Sequence, residues 1–315
     1  MTPMIEIQNL KKYFSTPRGL LHAVDDVSFT IEKGKTLGVV GESGCGKSTL
    51  GRTIIHLHES TGGKIFLDGE DVTNLRGRAL REAREKMQII FQDPYSSIDP
   101  RKTVASTVRE PLQVSHKFNK AEIEERTNAL MDLVGIDARL ATSYPHELDG
   151  GRRQRVGIAR ALALEPKFVV CDEPVSALDV SIQAQVLNLL KKLQQDHGLT
   201  YMFVTHDMSV VRHISDEICV MYLGQLVEKC PSKELFENPL HPYTKALLSA
   251  IPSIDIHHPT KREILKGELT SPINPKPGCR FAARCPFATE ACLQPQKVQE
   301  VSKGHFVSCC RVNEL

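Results

Sequence analysis

Apolar and polar positions alternate along Ile5-Glu-Ile-Gln-Asn-Leu10 and along Ala23-Val-Asp-Asp-Val-Ser-Phe-Thr-Ile31, which predicts two half-buried strands with Lys11-Lys-Tyr-Phe14 between them. Thr36-Leu-Gly-Val-Val40, Lys167-Phe-Val-Val-Cys171 and Leu199-Thr-Tyr-Met-Phe-Val204 are instead nearly continuous apolar runs, the pattern of strands covered on both faces. Gly62 to Gly69 reads as a turn and strand, Met87 to Gln92 as another strand, and Ile218–Tyr222 with Gln225–Glu228 as a pair around Gly224. Helical spacing replaces alternation at Leu50–Leu57 and from about 103 to 164, where Ile123, Leu130, Leu133 and Val134 share one face. It returns in Ile182, Val186, Leu189, Leu190 and Leu193. No internal repeat or low-complexity run interrupts this α/β pattern.

The chemistry concentrates at the ends of these strands. Gly41-Glu-Ser-Gly-Cys-Gly-Lys-Ser-Thr49 joins the run at 36–40 to the helix that follows, the strand, loop and helix order that a phosphate-binding P-loop requires. Gly41, Gly44 and Gly46 let the backbone turn its N–H groups toward an anion, and the helix start adds positive potential. Lys47 then reaches the β and γ phosphates, and the Ser48 hydroxyl suits Mg²⁺, which takes oxygen ligands.

Asp172 and Glu173 end an apolar strand, where two desolvated charges need a functional reason. Beside a P-loop, Asp172 is expected to hold the Mg²⁺ shell and Glu173 to polarise an attacking water. Gln92 ends another strand and can ligate Mg²⁺ or position water, or simply be a surface glutamine. His206 ends the strand at 199–204 and can contact a γ-phosphate. Tyr13 can stack on a base or pack in the core. Gly150 and Gly151 open a helix whose bare N–H groups can bind phosphate, with Asp149 as its natural N-cap.

Composition narrows the setting. The 315 residues allow one large domain or two smaller ones, and 41% hydrophobic and 25% charged content is ordinary for a globular chain. A net charge of +2 supplies no basis for a nucleic-acid partner. No apolar run matches a membrane span and the N-terminus lacks a signal peptide's features, so a cytosolic chain is expected, acting at a membrane only through partners. Of nine cysteines, Cys279, Cys285, Cys292, Cys309 and Cys310 crowd the C-terminal segment, which in a reducing compartment suggests metal before disulfides.

The ordered set of P-loop, Gln92, Gly150-Gly151, Asp172-Glu173, Ser176 to Asp179 and His206 resembles the nucleotide-binding subunit of ABC transporters. Phe91-Gln-Asp-Pro-Tyr-Ser-Ser97, Glu237-Asn-Pro-Leu-His-Pro-Tyr-Thr244 and Gly278-Cys-Arg-Phe-Ala-Ala-Arg-Cys-Pro286 resemble the oligopeptide and dipeptide importer ATPases, a branch that includes nickel and glutathione importers. The resemblance implies a P-loop NTPase (RecA-like) core with an antiparallel β subdomain and an inserted helical subdomain at about 93–164, together spanning residues 1–245, and a cysteine-rich extension over 246–315. It implies ATP and Mg²⁺, with Tyr13 stacking adenine, Ser43, Gly44, Cys45, Gly46, Lys47, Ser48 and Thr49 cradling the triphosphate, and Gln92 linking magnesium to the membrane subunits. Glu173 becomes the general base, His206 the γ-phosphate sensor, and Asp179 a contact across a dimer. The implied partners are a second ATPase subunit, two membrane-spanning permease subunits and an extracytoplasmic substrate-binding protein, at the cytoplasmic face of the cell membrane. A soluble ABC-type ATPase acting on nucleic acid or ribosomes is the alternative of another class.

Two features depart from that pattern or extend it. The family's signature reads Leu-Ser-Gly-Gly-Gln, whereas this chain has Leu148-Asp149-Gly150-Gly151-Arg152, so a carboxylate stands where a hydroxyl donates to the partner's γ-phosphate. An impaired partner site, and hence pairing with a different ATPase subunit, is expected. Cys279, Cys285, Cys292 and Cys309, with Cys310 as an alternative, offer four thiolates without the short C-x2-C pairs typical of zinc. A [4Fe-4S] cluster, which some members of the resembling family are thought to carry in this region, zinc and free thiols are the open readings.

Overall fold

The computed structural model describes residues 2–251 and 271–314. The chain divides into two units, one of residues 1–31, 35–73 and 203–315, the other of 32–34 and 74–202. In the first unit, β1 (Ile5–Thr16) and β2 (Gly19–Ile31) form an antiparallel hairpin. Both strands outrun the alternation, since pairing continues through Lys12↔Val24 and Tyr13↔His22 to Thr16↔Gly19. Lys11 to Phe14 therefore lie within a strand, and the register shifts between Leu10 and Tyr13 explain why the period of two fades there.

The next strand, β3 (Thr36–Val40), is buried at every position, as its unbroken apolar run predicts. Helix α1 (Lys47–Ile54) begins at Lys47, ahead of the Leu50 expected, because Leu50 N–H already bonds to the Gly46 carbonyl at 2.8 Å. With β4 (Gly62–Leu67) and β5 (Glu70–Asp71), the hairpin completes an antiparallel sheet of order β2-β1-β4-β5.

The second unit opens with α2 (Gly77–Lys86), which the hydrophobic pattern did not predict: Ala83 is its one buried residue, so it carries no apolar stripe to read. Strand β6 (Met87–Ile90) stops before Phe91 and Gln92. The helical region follows as α3 (Pro94–Ser97), α4 (Val104–Ser115), α5 (Lys120–Leu133) and α6 (Gly150–Leu162). The α5 start is set by a capping box, in which Asn119 accepts the Ala121 and Glu122 N–H groups and Glu122 accepts that of Asn119 at 2.7 Å. Fully buried β7 (Phe168–Asp172) pairs in parallel with β6, and α7 (Val180–His197) follows it. Strand β8 (Thr200–Val204) begins in the second unit and ends in the first.

The first unit resumes with α8 (Met208–Ile214), β9 (Glu217–Tyr222), β10 (Gln225–Pro231), α9 (Ser232–Glu237) and α10 (Pro242–Ser249), then β11 (Gln299–Ser302) and β12 (His305–Val307). Its second sheet runs β11-β12-β10-β9-β3, with β9 parallel to β3 and β10 antiparallel to β9 and β12. The boundary expected at 245/246 thus falls inside α10, and the C-terminal segment supplies two strands of this sheet. Phe281 joins the core of the unit, its ring 5.3 Å from Tyr222 and 5.4 Å from Tyr243, all three fully buried.

Glu228 on β10 ties these pieces together. It is wholly buried and accepts the Leu240 and His241 N–H groups at 2.8 and 2.9 Å, with His305 Nε2 at 2.7 Å. Burial works to raise its pKa, but the hydrogen bonds from His305, Thr244, Leu240 and His241 prevail and hold the carboxyl below its usual value. This is the physical content of the Glu237–Thr244 motif: its backbone and a C-terminal histidine converge on one carboxylate.

Candidate nucleotide-binding site

Residues 41–46 curl immediately after β3 because glycine alone fits at two points. A Cβ on Gly41 would stand 2.2 Å from the Met221 carbonyl oxygen, and one on Gly46, whose φ is +103°, 2.0 Å from that of Ala23. The backbone then turns into α1, whose Gly46 N-cap makes no side-chain cap, and the positive end of the helix lies at the loop. Lys47 is buried, and its Nζ donates to the Gly41 and Glu42 carbonyls at 2.8 and 3.0 Å, which holds the ammonium over the loop. Burial raises the Cys45 thiol above its ordinary pKa, so this cysteine is a packing residue and not a thiolate. Ser43 and Gly44 are exposed at the loop's tip, and Ser48 and Thr49 are half-buried in the first turn.

Tyr13, half-buried on β1, stacks on His22 with centroids 4.0 Å apart and planes at 23°. Its hydroxyl donates to Asp25, which also meets His22 Nδ1 at 3.1 Å. Burial and the Asp25 bond raise the Tyr13 pKa. For Asp25 itself burial works upward, but Tyr13, His22 and Arg280 outweigh it and keep the carboxyl below its usual range. Asp25 N–H bonds to Gly224, and Gly224 N–H to the Cys45 carbonyl, both at 2.8 Å, so the Tyr13 platform and the P-loop share one backbone junction. His206 is exposed just after β8; its neighbour Thr205 is fixed to Val39 of β3 at 3.1 Å, and Asp207 caps α8 through the Ser209 N–H at 2.7 Å.

The remaining residues belong to the second unit. Asp172 is the fully buried last residue of β7. Glu173 follows with φ +47°, a left-handed conformation that costs a non-glycine residue on the order of 1 kcal/mol and turns the carboxylate out of the strand line. Gln92 Nε2 donates to its Oε2 at 3.1 Å, which brings together two residues that the sequence reading placed separately. Ser176 Oγ donates to the Glu173 carbonyl at 3.1 Å, and Asp179 is the residue before α7.

The glycines at the start of α6 have a packing reason as well. A Cβ on Gly151 would lie 2.6 Å from Ile182 of α7, and one on Gly150 3.1 Å from Leu178. Asp149 is the N-cap, accepting the Arg152 N–H at 2.7 Å, and its second oxygen lies 3.4 Å from Arg152 Nη1.

In the C-terminal segment, Cys279, Cys285, Cys292 and Cys309 line one cavity of about 20 Å³ with Phe281 and Arg311. Burial pushes the Cys279 thiol up to about 11, with Cys292, Cys309 and Cys285 adding to the shift. Cys310 is exposed, its sulfur 3.9 Å from that of Cys292. Among the described residues, three ligand atoms come within 4.8 Å of one another only at Glu228, Cys230 and His305, where the carboxylate is already committed to the bonds above. No three of the four cysteine sulfurs meet that condition. No helix among the described residues is long and apolar enough to cross a membrane.

Comparison with known proteins gives this chemistry a family. Residues 24–176 match the ABC transporter family and 227–292 the oligopeptide/dipeptide transporter C-terminal region, a match that takes in Cys279, Cys285 and Cys292 and stops short of Cys309. The chain is 50% identical to the oligopeptide transport ATP-binding protein AppF of Bacillus subtilis, over 97% of its own length and 96% of that protein. It is likewise 50% identical to OppF of Salmonella typhimurium, covering 98% and 94%. Among solved structures, the dimeric ABC transporter cassette MJ0796 is similar with a TM-score of 0.67 at 29% identity, over 73% of this chain and 99% of that one. With a P-loop, a carboxylate pair at the end of a buried strand and near full-length identity all in hand, this chain belongs to the ABC-type ATPases, in the branch that carries the oligopeptide/dipeptide transporter C-terminal region.

Proposed function

We propose that this chain hydrolyses ATP to power import of di- or oligopeptides across the cytoplasmic membrane. The near full-length identity to oligopeptide transport ATP-binding proteins carries this reading. Ser43 to Thr49 cradle the triphosphate, Tyr13 stacks the adenine on the face opposite His22, and His206 contacts the γ-phosphate. Glu173, oriented by Gln92, takes a proton from the attacking water. Ser48, Gln92 and Asp172 are oxygen donors of the kind Mg²⁺ takes, and the ion neutralises phosphate charge when bound. Asp149, Gly150, Gly151 and Asp179 face the nucleotide of a second ATPase subunit. Two permease subunits and an extracytoplasmic binding protein complete the machine, which places this chain at the cytoplasmic face of the cell membrane.

Uptake of labelled dipeptide, longer peptide and nickel, in cells with and without the chain and with Lys47→Ala, tests the reading. Loss of peptide uptake alone is expected. Loss of nickel uptake alone moves the chain to a sibling branch, and no loss of either returns the soluble ATPase to first place.

The four converging cysteines support a [4Fe-4S] cluster in the same proposal, with Cys279, Cys285, Cys292 and Cys309 as its ligands. No three of their sulfurs lie all within 4.8 Å of one another, whereas a tetrahedral zinc site implies sulfur–sulfur distances of about 3.8 Å. When bound, such a cluster supplies cross-linking of the tail. Anaerobically purified chain should then contain about four irons and four sulfides. Iron-free and sulfide-free protein from iron-replete cells overturns the assignment.

A further inference from the structure

The loop between Cys279 and Cys285 carries two arginines whose side chains are buried, Arg280 and Arg284. Arg284, with 9% of its side chain exposed, grips both carboxylate oxygens of Glu42 at 2.8 and 3.1 Å. Glu42 is the second residue of the P-loop, and each of its other polar groups is also held. Its N–H donates to the Tyr243 hydroxyl at 2.9 Å and its carbonyl accepts Lys47 Nζ at 3.0 Å. The bidentate fork therefore fixes a loop residue whose carbonyl aims the phosphate-binding lysine. Arg280, 6% exposed, donates to Asp25 and to the Leu223 carbonyl. Asp25 in turn holds the Tyr13 hydroxyl and His22, the ring on which Tyr13 stacks. Phe281, between them in sequence, is sunk in the core, so the loop that presents both guanidinium groups is itself anchored.

We propose that Arg284 and Arg280 are positioning residues of the nucleotide site, Arg284 for the phosphates through Glu42 and the P-loop, Arg280 for the base through Asp25 and Tyr13. The C-terminal segment is then part of the ATP site and not only a tail appended to it. This rests on the reading of the P-loop and Tyr13 given above. It makes a demand that a purely structural role for the loop does not: the two arginines must affect different parts of the same ligand.

Binding of ATP, and competition by inorganic triphosphate, should be measured on the full-length chain well below its melting temperature. Arg284→Gln, Glu42→Gln and their double variant are each expected to weaken both ligands by roughly tenfold, the double no more than either single change. Arg280→Gln is expected to weaken ATP by roughly fivefold and leave triphosphate within about twofold, since only the base stacks. Tyr13→Phe removes the same link from its other end without deleting a charged group and should repeat the Arg280 pattern. Glu42→Gln gives the matching control for Arg284, so a variant that fails to fold does not decide the question. Lys47→Ala separates the layers of the argument. If it spares binding, the P-loop reading falls and the proposal with it. If it abolishes binding while folded Arg284, Glu42, Arg280 and Tyr13 variants keep wild-type affinity for both ligands, the proposal alone is overturned. Loss of ATP and triphosphate alike in Arg280→Gln also overturns it.

Discussion

Glu173→Gln should lower ATP turnover by at least about 100-fold while ATP still binds, the span expected when a general base loses its proton acceptor. The amide keeps the shape of the side chain but cannot take a proton from water. Two observations single out this carboxylate from the 38 acidic residues of the chain. Its backbone sits at φ +47°, and Gln92 donates to one of its oxygens at 3.1 Å. Steady-state ATPase assays of the assembled transporter, with nucleotide binding measured in parallel, read the split. Turnover within about threefold of the wild type means that another group takes the proton.

Restoring the family's signature with Asp149→Ser and Arg152→Gln should raise ATPase activity of the assembled transporter by about tenfold. A carboxylate about 4 Å from a phosphate oxygen repels it by roughly 4 kcal/mol at an effective dielectric of 20. That figure is an upper bound here, because the Asp149 side chain is 57% exposed and Arg152 lies 3.4 Å away. About 1.4 kcal/mol left after screening corresponds to the tenfold change. Serine replaces the lost repulsion with a donor and caps α6 about as well as aspartate, so the melting temperature should barely move. The expected gain is at the nucleotide of the proposed second ATPase subunit. Unchanged activity removes the case that the departure impairs anything, and leaves Asp149 as the helix cap that it visibly is.

The chain itself determined everything that depends on near neighbours along it. A strand, a glycine-rich turn and a helix start are adjacent in sequence, so the P-loop and the acids ending β7 are legible from residue type and spacing alone. Helix α2 escaped because it buries only Ala83, and the ends of β1 and β2 escaped because irregular register erases alternation. What only the tertiary structure decided are pairs far apart in sequence. Arg280 reaches Asp25 across 255 positions, Arg284 reaches Glu42 across 242, and His305 reaches Glu228 across 77. Such partners share no periodicity, and an isolated arginine in a loop reads as a solvated charge until its guanidinium is found buried against a carboxylate. The convergence of four cysteines on one cavity is of the same kind, since spacing lists candidate ligands but only the folded backbone aims them at one another.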